Sequence, residues 1–286
     1  MGLTLLRTIL IGAALLAIVE SPSAVRAAHQ EDATAQRTEA RKWLYDGVQA
    51  FKNGQIDEAI HDFQNAKNLD PLLLNAQLYL ATAHSAQYIP GDPSPENAQH
   101  ADQALQEFRS ILGTHPDNLS AIDGAGSILY NLASKPFDPE KMEESKSYHQ
   151  RHSELRPDDP EPYYWVGVID WSLAFRGNRE MREDYNKSAN PTVKNTDPMP
   201  PALAARFRQK YGEIIGEGIV NMKKAMDLRP DYSDAMAYLN LLYRQKADME
   251  LTVGEQQNDI RIADDLVDQA KAIKAKKMNS PQSPQQ

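Results

Sequence analysis

The sequence predicts an all-α solenoid of about five stacked helix pairs, and three observations carry the prediction. Helix-compatible segments close four times on a two-residue stop, at Asp70-Pro71, His115-Pro116, Arg156-Pro157 and Arg229-Pro230. In three of the four a small or apolar residue stands five places before the proline (Ala66, Ile111, Ala225), with His152 the exception. Ala, Leu, Glu, Gln and Lys fill the periodic stretches, and alternating runs of Val, Ile and Thr are absent, so no strand signal competes. Self-similarity at such a period marks units that cannot bury their apolar face alone and therefore stack.

The first unit fits a 34-residue template without a gap. Trp43, Gly47, Ala50, Phe51, Gly54, Ala59, Phe63, Ala66 and Pro71 fall on the pattern W-x2-L-G-x2-Y, A-x3-F and a terminal Pro, with Asp46 in place of Leu and Ala50 in place of Tyr. Gly47 and Ala59 let two helices cross closely and Ala66 lets the next unit approach. Pro71 ends the second helix, because proline lacks an N–H and clashes with the preceding turn. Over residues 40–73 the chain resembles the tetratricopeptide repeat (TPR), which implies a right-handed superhelix of helix pairs.

The following units are stretched. A first helix over 74–87 carries Ala76, Leu80, Ala81 and Ala83 on one face, and its partner carries Ala101, Ala104, Leu105, Phe108 and Ile111. Between them the three prolines of 88–97 exclude continuous helix. The third unit pairs 119–132 with 139–155, the fourth pairs 162–175 with 207–228, and the fifth pairs 234–246 with 259–276. The extra length therefore falls between the two helices of a pair. The expected division is a leader, 1–27, then a solenoid, 28–276, with repeats near 40–73, 74–118, 119–159, 160–232 and 233–276. A long insertion is expected at 172–206, and a polar, disordered tail at 277–286.

In the leader, Arg7 precedes an apolar run over 9–19, and Val25 and Ala27 occupy the −3 and −1 places of a small-residue site. This predicts a signal peptide cleaved after Ala27, since such a run is short of the roughly twenty residues a membrane span requires; an uncleaved anchor is the alternative. The chain has no cysteine, hence neither a lipidation site nor a disulfide framework. Export without cysteine suits the periplasm. A net charge of −9 disfavours nucleic-acid binding, which needs a clustered positive surface. The segment 172–212 is the local exception, with eight basic residues against four acidic ones. It reads as a solvated loop, or as a basic arm that meets an acidic partner or folds back on the scaffold's own acidic face.

The TPR resemblance further implies that function lies on the first helix of each pair, at repeat positions 2, 5, 9 and 12. The candidate groove residues are Phe51, Tyr130, Glu161, Tyr164, Val168 and Trp171, joined by Asp234, Tyr238 and Arg244 from the fifth pair. Tyr163, Tyr164, Trp165 and Trp171 put four aromatics within nine residues, the usual composition of interface anchors. Against this, Tyr and Trp at helical spacing commonly pack a core, which fits Trp165 better than Trp171. The Lys and Asn clamp by which some TPR domains hold a C-terminal carboxylate is absent, because its positions carry Leu44, Val48, Leu78, Thr82, Asp123 and Ser127.

Catalytic motifs are lacking: there is no Gly-rich phosphate loop, no nucleophile elbow and no zincin pattern. His149 with His152, and Glu58 with His61, are pairs without a third ligand, so no metal and no cofactor is expected. The expected function is a non-catalytic scaffold or adaptor of the cell envelope that binds a protein or peptide. One alternative is a glycan or peptidoglycan binder stacking sugars on Tyr164, Trp171 and Tyr238; the other is self-assembly. The stretches 162–171 and 229–238 are also similar to a group of exported bacterial TPR proteins, a resemblance that brings no activity with it.

Overall fold

A computed structural model describes residues 22–279. These residues form ten α-helices and no strand. They are α1 (Pro22–Lys52), α2 (Ile56–Leu69), α3 (Leu74–Gln87), α4 (Pro95–Thr114), α5 (Leu119–Ser134), α6 (Pro139–Leu155), α7 (Pro160–Asn186), α8 (Pro201–Leu228), α9 (Ser233–Met249) and α10 (Val253–Asn279). Consecutive helices pack as five antiparallel pairs, each leaning on the next. The odd-numbered helices of neighbouring pairs also touch, α1 with α3, α3 with α5 and α7 with α9, whereas even-numbered ones barely do. The odd helices thus form the inner wall of the stack. The apolar leader run 9–19 lies outside the described residues, and no described helix is long and apolar enough to cross a membrane.

The repeated stop is one turn built four times. Asp70, His115, Arg156 and Arg229 each donate the last helical N–H, to the carbonyls of Ala66, Ile111, His152 and Ala225. The following proline then forces its predecessor out of the α region, to φ of −135°, −129°, −136° and −136°. Each of these residues next accepts an N–H from three residues on, closing a turn with proline at its second place. The residue five before the proline faces the next pair and is buried in all four cases. His152 is tolerated there because Asp123 meets its Nδ1 at 2.6 Å and Asp159 lies 3.5 Å from its Nε2.

Helix starts follow the sequence equally closely. Ser94, Asn118, Asp138 and Asp159 accept backbone N–H groups of the first turn, three of them followed by a proline at the first helical place. Gly47 shows why the template demands glycine: a Cβ there would stand 2.7 Å from the ring of Phe63, which is fully buried beneath it.

The fourth pair departs from expectation. Helix α7 does not stop near Phe175 but runs 27 residues to Asn186, and α8 begins at Pro201, six residues before the expected 207. The insertion expected at 172–206 is therefore mostly two helix extensions, leaving a loop of 187–200. The α7 extension packs closely on α8 at Gly177, where a Cβ would fall 2.0 Å from Cζ of Tyr211. At the C-terminal end α10 continues through residues 277–279, which were expected to be tail; residues 280–286 lie outside the described ones.

A charged layer lies between α6, α7 and α8. Lys146 is buried and sits 3.1 Å from Asp170 and Glu143 and 3.3 Å from Glu217. Burial pushes the fully enclosed Asp170 carboxyl up to about 7, with Lys146 opposing the rise. Burial alone would lower the Lys146 ammonium, yet Asp170 and Glu143 hold it above its ordinary value.

Candidate functional site

The inner wall carries an unbroken run of ring contacts over α5, α7 and α9. Tyr130 meets Trp165 at a centroid distance of 5.4 Å, Trp165 meets Tyr164 at 5.6 Å, and Tyr164 meets Tyr238 at 5.8 Å. Tyr238 then meets Trp171 at 5.3 Å, and Trp171 stacks on Phe175 at 5.2 Å. Tyr232 branches from Tyr164 at 5.0 Å, and His149 stacks behind Trp165 at 5.7 Å. Most of these rings meet edge to face, the geometry their quadrupoles favour. Burial raises the phenols of Tyr164 and Tyr238 above their ordinary value, so both hydroxyls stay protonated as donors.

The run ends at an open cavity of about 400 Å³. Trp171 and Phe175 of α7, Leu241, Arg244, Gln245 and Asp248 of α9, and Ile260 of α10 form three of its sides. Asn195 and Thr196 of the 187–200 loop form the fourth. The loop is held there by Arg182, whose guanidinium is 1% exposed. Its Nη1 donates to the carbonyls of Lys194 and Asp197 at 2.9 and 3.0 Å, its Nε donates to Asn178 at 2.8 Å, and its Nη2 lies 3.0 Å from Asp248. Asn186 and Val193 exchange two further hydrogen bonds across the loop's neck. The insertion is thus no free arm. Arg182 and Arg208 fold back on Asp248 and Glu250 of the α9 end.

Of the expected groove residues, Tyr130, Tyr164, Trp171 and Tyr238 come together on this wall, and Arg244 lines the cavity at its end. Val168 does not join them: it is 1% exposed, within the core that α7 shares with α8 and α9. Phe51 lies in the first pair, among Leu44, Val48, Ile56 and Ile60, remote from the aromatic run. The three charges expected to set preference at the rim are spent within the chain. Glu161 accepts from Arg229 and from Tyr232, both at 2.7 Å; Arg244 pairs with Asp264 at 2.6 Å; and Asp234 pairs with Lys274 at 3.2 Å. Trp165, which sequence favours as packing, is half-buried within the run.

Phe175 stands at the expected end of its helix and is not among the expected groove residues. Its i, i+4 spacing from Trp171 was the available signal, provided the helix was continued. Among the described residues no group of three or more His, Asp or Glu side chains is placed to hold a metal ion.

No protein-family model and no curated protein matches the sequence. Among solved structures, "MamA 41-end from Desulfovibrio magneticus RS-1" superposes with a TM-score of 0.56 at 14% identity, over 85% of this chain and 98% of that one. YrrB, described as "a TPR protein with an unusual peptide-binding site", superposes with a TM-score of 0.51 at 14% identity, over 88% of this chain and 97% of that one. The fold is that of the tetratricopeptide repeat. In TPR terms the aromatic run belongs to the first helices of the third, fourth and fifth repeats, and the 187–200 loop is an elaboration of the fourth.

Proposed function

We propose that this TPR chain is a non-catalytic scaffold that binds an extended peptide, or an extended segment of a protein, along the wall from Tyr130 to Phe175. The observation that carries the reading is the continuity of that wall with the cavity at Trp171: half-buried rings flank an open, mostly apolar trough. The peptide-binding site ascribed to YrrB supports the same ligand class. Glycan binding has less support, because sugar platforms need open ring faces and here Tyr164, Tyr238 and Trp171 turn edges to one another. A cell-envelope setting, with cleavage after Ala27, rests on the leader sequence; N-terminal sequencing of the protein recovered from periplasmic extract tests it.

The binding reading is tested by cross-linked capture from envelope extract, comparing the native chain with a Tyr164→Ala/Trp171→Ala variant shown by circular dichroism to remain folded. Partners held by the first and lost by the second support the wall. Identical captures from both would refute it.

A further inference from the structure

The 187–200 loop carries a tight turn on the side of the cavity. The N–H of Asp197 donates to the carbonyl of Lys194 at 3.1 Å, and the N–H of Lys194 donates to Oδ2 of Asp197 at 2.9 Å, so Asn195 and Thr196 stand at the tip. Nη1 of Arg182 holds both ends of that turn through the carbonyls of Lys194 and Asp197. Burying a guanidinium carries a desolvation cost, which an exposed connection between two helices has no need to meet. What the fixing achieves is to set Asn195 and Thr196 on the same cavity as Gln245 of α9.

These three side chains keep hydrogen-bonding groups in reserve. Asn97, Asn118 and Asn186 each pair with nearby backbone, as loop asparagines commonly do. The side chains of Asn195 and Thr196 have no hydrogen-bond partner among the described residues, and Gln245 uses only Oε1, which accepts from Asn178 at 2.9 Å. Together the three offer both donors and acceptors to the cavity. The charges around them cancel, since Asp248 is paired with Arg182 and Arg244 with Asp264. The other sides are apolar, with Phe175 and Ile260 exposed and Leu241 half-buried.

Such a site suits a group that is uncharged, both gives and takes hydrogen bonds, and has an apolar substituent beside it. A peptide group next to an apolar residue meets that description, and a segment laid along the wall brings one past the cavity whatever its sequence. A primary-amide side chain shares the hydrogen-bonding pattern but lacks the apolar branch. Resting on the peptide-binding reading above, we propose that the cavity grips the main chain of the bound segment: Asn195, Thr196 and Gln245 pair with a peptide group, and the apolar side chain beside it packs on Phe175, Leu241 and Ile260.

NMR titration of the isotope-labelled full chain tests the inference. The probes are a capped Ala-Ala-Leu-Ala-Ala peptide, two analogues in which the peptide group on either side of Leu becomes an ester, and versions with Gly or Gln in place of Leu. The Leu peptide is expected to shift the side-chain amides of Asn195 and Gln245 saturably. Affinity should fall at least about threefold in one of the esters and roughly fivefold with Gly or Gln. Asn195→Ala/Thr196→Val removes contacts to the ligand and none within the chain. It is expected to weaken binding roughly fivefold at an unchanged denaturation midpoint.

Equal affinity for both esters, no effect of the double variant, or a loss of stability that accounts for its weaker binding overturns the inference. Tighter binding of the Gln peptide with no response to the esters would assign the cavity to a side-chain amide, and also overturns it. If the Leu peptide binds, is lost with Trp171→Ala, yet ignores the esters and the double variant, the scaffold reading survives and only the main-chain grip falls. If the Leu peptide does not bind, the inference falls, and the scaffold reading then stands or falls on the capture experiment.

Discussion

Arg182 of α7 and Asp248 of α9 form an ion pair at 3.0 Å on which the loop side of the cavity depends, because the same guanidinium holds the carbonyls of Lys194 and Asp197. Burial raises the Asp248 carboxyl above its ordinary value, with Arg182 opposing that rise. Replacing Arg182 with Met strands this carboxylate and frees the loop. Chemical denaturation should show a loss of about 3 kcal/mol, with faster proteolysis at 187–200. The double change Arg182→Met/Asp248→Leu should recover part of the stability but not the protection of the loop.

The close approach of Gly177 to Tyr211 makes a second prediction. A Cβ at 177 would stand 2.0–2.4 Å from Cζ, the hydroxyl oxygen and Cε2 of Tyr211, so the buried ring must swing aside or α7 and α8 must separate. Gly177→Ala should cost about 1–3 kcal/mol by thermal or denaturant unfolding, as overpacking does. Tyr211→Leu in the same chain should restore most of that loss; if it does not, the two helices are not in contact there.

His149 gives the stability a measurable dependence on acid. Burial, aided by neighbouring His152, holds its imidazole down at about 4, and neither ring nitrogen has a partner. A depressed folded value means the neutral form is the one the fold favours. Its contribution is full above the ordinary value near 6.5 and is lost as pH falls toward 4, by at most about 1.4 kcal/mol per pH unit. Asp170 runs the other way, so the informative quantity is the difference between native chain and variant. His149→Phe should be at least as stable at pH 7 and should lose less than the native chain between pH 6.5 and 4.

The charged layer yields the opposite pH signature. Asp170 sits at about 7, above its ordinary value, so the fold favours its protonated form and its stabilising contribution is lost as pH rises through 7. Lys146 opposes that loss. Lys146→Met should therefore destabilise by about 3–5 kcal/mol at pH 8 and by clearly less at pH 5, read from denaturation midpoints at the two pH values.

Much of the architecture was legible because its signals are local. The X-Pro stop dictates the same turn wherever it occurs, and residues 74–87 and 139–155 bound helices without adjustment. The fourth pair departs from the 34-residue template for a reason also visible in the sequence. No proline stands between Pro162 and Pro191, so nothing breaks α7 near 175, and the residues that exceed the repeat length continue the helix instead of forming a loop. Val168 could not be recognised as buried, since the core that encloses it is completed by α8 and α9, which follow it at a distance in the sequence. The self-pairing of Glu161, Asp234 and Arg244 depends likewise on partners 20 to 68 residues away, beyond the reach of any periodic pattern.

In the scaffold reading the inner wall, and not the outer face, meets the ligand. The most direct measurement places a photo-crosslinking side chain at Leu241, inside the cavity, and in a second chain at Gln209, on the exposed face of α8. Cross-linked products from Leu241 alone, lost when Trp171 is replaced by Ala in the same chain, are the expected result. Products from Gln209 alone, or equal products from both that ignore Trp171, would place the ligand elsewhere than on the inner wall.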